Sequence, residues 1–197
     1  MSESVEPAAE LDVVEQQAVR MDKRQQMLDA GIPAYPVHLP ITSTIAEVRA
    51  EHEGLGPEEK TGQIVGLTGR IMHLRVTGKL AFAALQDGQG TPLQAMVSFG
   101  EVGEESFERF RDWVDLGDHL FVSGEVITSK RGELSVWVSD WQIAAKALLP
   151  LPNLHNELSE ETRVRQRYLD LIVREQARQT VKTRARVMAS LRETFAE

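Results

Sequence analysis

The feature that most constrains this chain is a change of hydrophobic period at Gln63. Before that point apolar residues recur at near-helical spacing; after it they alternate with polar ones, as in strands with one buried face. Residues 63–75 predict a long first strand, whose Gly66 and Gly69 suit a coiled or bulged path. LAFAALQ reads as a second strand and LQAMVSF as a third, joined by DGQGTP with its Asp87-Gly88 turn signal. EVGEESFERFRDWVDLGD then brings Phe107, Phe110 and Trp113 or Val114 to helical spacing among seven acids, predicting an acidic helix that covers the sheet. HLFVSGEVI is a fourth strand, TSKRGE a turn and LSVWVSDWQIAA a fifth. Three strands, one helix and two strands between residues 63 and 147 is the order of the OB-fold, a five-stranded Greek-key barrel. The fold class is therefore mainly β with flanking helices.

The flanks have a different character. Residues 1–11 are polar and acidic and predict disorder. Residues 12–62 predict a helix and connector: Leu11, Val14, Ala18, Met21 and Leu28 are spaced for one helix face, Gly31 stands where a left-handed cap belongs, and Pro33 follows. AYPVHLPIT reads as extended, and Thr44–His52 as a short helix before the EGLGPEEKTG loop. Beyond the barrel, residues 148–162 form a Pro-punctuated linker, and 163–197 open with RVRQRYLDLI. From Glu175 a helix carries Ala177, Val181, Met188, Leu191 and Phe195 on one side. It carries no stop signal, so the expectation is that the chain is a portion of something longer.

Charge and composition exclude several classes. The formal net charge is -8, with 12 acids against 5 bases over residues 1–60 and 7 against 9 over 148–197. Cys is absent, which removes disulfides, thiolate metal sites and Cys nucleophiles. No apolar run is long enough to span a bilayer, and the acidic N-terminus does not read as a secretory signal. A cytoplasmic setting with no membrane contact is expected. His38, His52, His73, His119 and His155 share no metal-ligand spacing, and no phosphate-cradling Gly loop or nucleophile elbow is present. No catalytic residue and no metal ligand is expected in this chain.

One stretch breaks the acidic pattern. Between Lys60 and Asp87 there is no carboxylate, while Arg70, Arg75 and Lys79 fall inside the gap. OB-folds bind single strands on the face of strands two and three, framed by loops one-two and four-five. Phe82 and Leu85 face opposite sides of a regular second strand, so one stands outside the barrel, and Phe is the one that can stack on a base. A bulged strand would place Phe82 in the core instead. Leu93, Ala95 and Val97 form the inward set of the third strand, leaving Gln94 outward, as a reader of a base edge or as an ordinary solvated residue. Arg75 and Lys79 are assigned to loop one-two, and Lys130, Arg131 and Glu133 to loop four-five, as walls of a groove that attracts phosphates. The glycines upstream leave the direction of Arg75 undecided.

GRIMHLRVTGKLAFAALQD, LGDHLFVSGEV, SKRGELSV, KALLPLPNLHNEL and RVRQRYLDLI strongly resemble the bacterial lysyl-tRNA synthetases, class II enzymes of the aspartate/asparagine/lysine subgroup. The resemblance covers roughly residues 12–197. It implies that the barrel holds the tRNA(Lys) anticodon, that Phe82 stacks on its central base, that Gln94 reads a base edge, and that Arg75 and Glu133 lie beside the anticodon. It also implies a homodimeric ligase that uses ATP and magnesium, of which residues 163–197 are the start of the class II catalytic domain. The residues that bind ATP and lysine in that family would come later, so neither is expected on this chain. Leu74 departs from the family, which often has a basic residue there. A free-standing single-strand-binding OB module and an aspartyl or asparaginyl relative are the alternative readings.

Overall fold

The computed structural model describes residues 7–152, 154 and 157–196. They fall into two compact units, Met1–Pro150 and Leu151–Glu197. In the first, helix α1 (Pro7–Asp29) and helix α2 (Ile45–Glu51) precede five strands: β1 (Lys60–Thr77), β2 (Leu80–Gln86), β3 (Pro92–Ser98), β4 (His119–Thr128) and β5 (Leu134–Ala145). Short helix α3 (Phe99–Val102) and helix α4 (Glu104–Trp113) stand between β3 and β4, so the expected single acidic helix is broken in two at Gly103. The expected disordered stretch overlaps α1 at residues 7–11, and the remainder of it lies outside the described residues.

The strands close into a barrel in the order β1-β2-β3-β5-β4. Closure depends on β1, whose 18 residues pair first with β4, from Lys60 to Arg70, and then with β2, from Arg70 to Thr77. One strand thus serves both neighbours, which explains why its glycine-punctuated run exceeds the predicted 63–75. The β4–β5 ladder shifts register between Ser123 and Gly124, where a Cβ would collide with the Trp137 carbonyl; only glycine allows the two backbones so close.

The interior is filled by alternate residues: Leu67 and Ile71 from β1, Ala83 and Leu85 from β2, Leu93, Ala95 and Val97 from β3, Val122 and Val126 from β4, Val136 and Val138 from β5. Helix α4 closes one end with Phe107 and Phe110, the latter edge-on to Trp141 with centroids 5.1 Å apart. Helix α2 begins at a capping box in which Thr44 and Glu47 bond each other's backbone N–H groups. The two hydrogen bonds from Thr44 hold the Glu47 carboxyl below its usual range.

Helix α1 packs by the face that the spacing did not nominate. Val14, Met21 and Leu28 are exposed, whereas Arg20 and Met27 are buried. The reason lies in a polar knot beneath the helix. Arg20 donates to the carbonyls of Leu116 (2.9 Å) and Ala147 (3.1 Å), and Lys23 pairs with Asp115 at 2.7 Å. Lys146, fully buried, donates to Asp118 (2.7 Å), Asp115 (2.5 Å) and the Trp113 carbonyl (2.7 Å), while Asp118 accepts from the N–H groups of Asp115 and Ala147. Burial pushes the Asp118 carboxyl up despite Lys146 beside it. Asp115 is also desolvated, but its bonds to Lys146 and Lys23 outweigh burial and hold it below the usual carboxylate range.

In the second unit, helices α5 (Glu160–Arg165), α6 (Arg167–Val173) and α7 (Glu175–Ala196) follow in sequence. Asp170 is fully buried and bridges Arg167 (2.6 Å) and Arg174 (2.8 Å), joining α6 to the residue that precedes α7. On α7, Ala177 is buried and Val181, Met188, Leu191 and Phe195 are exposed.

Candidate nucleic-acid interface

The outer face of the barrel carries two rows of side chains that run across four strands. In the register of the sheet, Arg75 on β1 lies opposite Phe82 on β2, Phe82 opposite Met96 on β3, and Met96 opposite Trp137 on β5. The neighbouring row runs His73, Ala84, Gln94 and Ser135. One row is aromatic and apolar with a cation at its end; the other is polar. Above them lies an open groove of about 780 Å³, bounded on the far side by Lys130, Arg131 and Glu133. That volume is within the range of small-molecule sites.

Phe82 faces outward: Ala81 and Ala83 on either side of it are buried at 0%, while the ring is half-exposed. The bulged-core alternative for Phe82 is thereby removed. Gln94 also faces outward between buried Leu93 and Ala95, and its amide donates to Ser135 Oγ at 2.9 Å. This bond orients the amide and leaves its carbonyl oxygen toward further donors.

Arg75 is a correction. It belongs to β1 rather than to loop one-two, which consists of Gly78 and Lys79 alone. Its direction comes from a bulge at Met72, between Ile71 and His73. Before the bulge, Val65, Leu67 and Ile71 point inward; after it Leu74 does, so Arg75 turns to the outer face. Its guanidinium sits 5.0 Å from the centroid of Phe82, a cation–π pair on the groove floor. Leu74, half-buried, packs against the core and also lines the groove, where it supplies apolar surface in place of a charge.

Lys79 lies in the tight turn with its ammonium 4.7 Å from the Phe99 ring. Arg70, the third cation of the acid-free stretch, does not reach the groove. It is half-buried in the middle of β1, where the pairing passes from β4 to β2, donates to the Gly117 carbonyl at 2.9 Å, and has its pKa lowered by desolvation. Lys130 and Arg131 are exposed in the β4–β5 turn. Glu133 closes that turn, and its carboxylate accepts from Arg49 of α2 at 3.1 Å.

Sequence reasoning missed Arg49, Met96, His73, Ser135 and Trp137. Trp137 was the most accessible of these: it alternates with Val136 and Val138, and strand five lies beside strand three in the OB order. Arg49 reaches Glu133 across 84 positions, with no local signal. Among the described residues no group of three or more His, Asp or Glu could hold a metal ion, and no helix is long and apolar enough to cross a membrane. His155 lies outside the described residues.

Residues 65–144 match the tRNA anti-codon family, described as an OB-fold nucleic acid binding domain. Over most of its length the chain is similar to lysine–tRNA ligases: it is 55% identical to that of Kineococcus radiotolerans over 93% of this chain and 37% of the relative. The lysine–tRNA ligase of Mycolicibacterium gilvum is 52% identical over 92% of this chain and 36% of its own length. That of the more distant Methanospirillum hungatei is 38% identical over 88% and 34% respectively. The chain spans about a third of the length of the relatives it matches.

Proposed function

The barrel belongs to the OB-fold nucleic acid binding domains and the chain is homologous to lysine–tRNA ligases, and from that premise we propose that these residues bind the anticodon of tRNA(Lys). The observation that carries this reading is the row Arg75–Phe82–Met96 beside outward Gln94, on the strand face where OB-folds take single strands. Phe82 stacks on an unpaired base, Gln94 addresses a base edge, and Arg75, Lys79, Lys130 and Arg131 attract the phosphates. Glu133, held by Arg49, presents a carboxylate to exocyclic amino or imino donors.

Under this reading the parent protein is a cytoplasmic, homodimeric ligase that forms lysyl-adenylate and then lysyl-tRNA with ATP and magnesium. Residues 163–197 open its class II domain, and the exposed stripe of α7 contributes to its two-fold interface. No residue of this chain is assigned to ATP, lysine or magnesium, and the chain alone is expected to show no ATP–pyrophosphate exchange. The likeness to lysine–tRNA ligases along more than nine-tenths of the chain favours this reading over a free-standing OB module or an aspartyl or asparaginyl relative.

Titration of the chain with a lysine anticodon stem-loop tests it. Binding is expected to be tighter than to the same hairpin with its loop bases changed, and to weaken steeply with salt. Equal affinity for both hairpins, or none for either, overturns the assignment.

A further inference from the structure

The groove floor has a second large ring that the reading above leaves unused. Trp137 is half-exposed on β5 between Val136 and Val138, both buried at 0%, so its indole stands on the outer face. It shares a register row with Phe82, separated by Met96, which is 9% exposed. Two inter-strand steps place the two backbones about 10 Å apart, with the rings flanking the methionine on one surface.

The indole is held in place. Its Nε1 donates to Glu101 of α3 at 3.3 Å, a bond from an element outside the sheet, so the ring enters the groove with little rotamer freedom left to lose. The charge around it selects what it can meet. Glu101 bonds the indole, Glu125 is opposite Trp137 on β4, and Glu133 stands on the adjoining rim, whereas Arg75 is at the far end of the row. Lys130 and Arg131 share the rim with Glu133, so a phosphate is drawn to that rim and to the Arg75 end, while the carboxylates nearest the indole keep it off the ring. An uncharged planar group fits both rings.

We infer that Trp137 is a second base-stacking platform, which takes an unpaired nucleobase flanking the one over Phe82. This rests on the anticodon-binding reading and extends it from one stacked base to two. The loop is splayed across the row with its bases on Phe82 and Trp137, and its phosphates keep to Arg75 and Lys79 at one end and to Lys130 on the rim. Trp137 then acts on affinity for a particular loop position, and Glu101 acts as a positioning residue through the indole.

The test uses the lysine anticodon stem-loop and a set of the same hairpin, each with one loop nucleotide made abasic. Trp137→Ala is expected to weaken binding about ten-fold, the worth of one stacked base, and Trp137→Phe to retain most of it. The Trp137→Ala effect should vanish on one abasic hairpin and the Phe82→Ala effect on a different one. RNA should quench part of the tryptophan emission of the wild-type chain and much less of that of Trp137→Phe, a readout that survives even if the alanine variant folds poorly. Wild-type affinity in a folded Trp137→Ala protein, loss of both effects on the same abasic hairpin, or equal quenching in wild type and Trp137→Phe overturns the inference while leaving the anticodon reading intact. Failure of the wild-type chain to bind any hairpin overturns both.

Discussion

Two regions of the barrel use the same kinds of side chain to opposite ends. In the knot under α1, Lys146 is fully buried and bonds three acceptors, two of them carboxylates that are themselves held by further donors. In the groove Arg75 lies against Phe82, and in the adjoining turn Lys79 lies against Phe99; neither forms an ion pair among the described residues. A charge taken out of water must have its partners supplied inside the fold, so the knot is complete without a ligand. A charge left at the surface beside an aromatic ring keeps its hydration and can exchange it for a phosphate. Cations that complete the fold thus differ from cations left at the surface, the kind that the proposed function assigns to RNA.

The largest effect that can break this comparison is at the knot. Lys146→Met removes the cation and leaves the buried Asp118 carboxylate without an ionic partner, while Asp115 keeps Lys23, so unfolding free energy should fall by about 3–5 kcal/mol. Urea melts measure that loss, and a loss well under 1 kcal/mol would show that the knot tolerates an uncompensated carboxylate. RNA binding by the fraction that remains folded should be unaltered. Phe82→Ala is the converse case. It should cost about 1–3 kcal/mol of stem-loop affinity with little change in melting, because the ring is outside the barrel. A collapse of stability at normal affinity would place the role of the ring in packing.

A smaller effect is expected from Lys79→Ala. It should flatten the dependence of log affinity on log salt by up to about one unit and leave base preference unchanged. An unaltered slope would mean that the ammonium stays on the Phe99 ring in the complex. The smallest effect is a pH dependence. Desolvation, with Arg70 nearby, pushes His119 below its ordinary 6.5. The unfolded chain therefore binds a proton there before the folded one does, so stability is present above pH 6.5 and declines as pH falls through and below that value. His119→Gln should reduce this decline in melts taken between pH 7 and 5; an identical profile would assign it to other groups.

Much of the barrel is legible in the order of its residues. LAFAALQ coincides with the second strand, Leu80–Gln86, and LSVWVSDWQIAA with the fifth, Leu134–Ala145. Alternation at the roughly 3.3 Å strand rise is a local property, and where the pairing is regular it correctly puts Phe82 and Gln94 outside. The spacing of α1 misleads because amphipathic periodicity assumes an apolar contact. Here the covering face includes Arg20 and Lys23, whose acceptors Leu116 and Asp115 belong to the far side of the barrel sequence.

By itself, then, the sequence determined the order of strands and helices, the inward sets of β2 and β3, and the acid-free stretch. These follow from local propensity, alternation and charge count. Only the tertiary structure decided which cations of that stretch reach the groove. The Met72 bulge reverses the parity of β1 and turns Arg75 outward, while Arg70 stays half-buried against Gly117. It alone brought Trp137 into line with Phe82, through the parallel β3–β5 pairing that completes the barrel. Bulges and cross-barrel registers are set by the joint packing of distant strands, and no single segment carries the energy that fixes them.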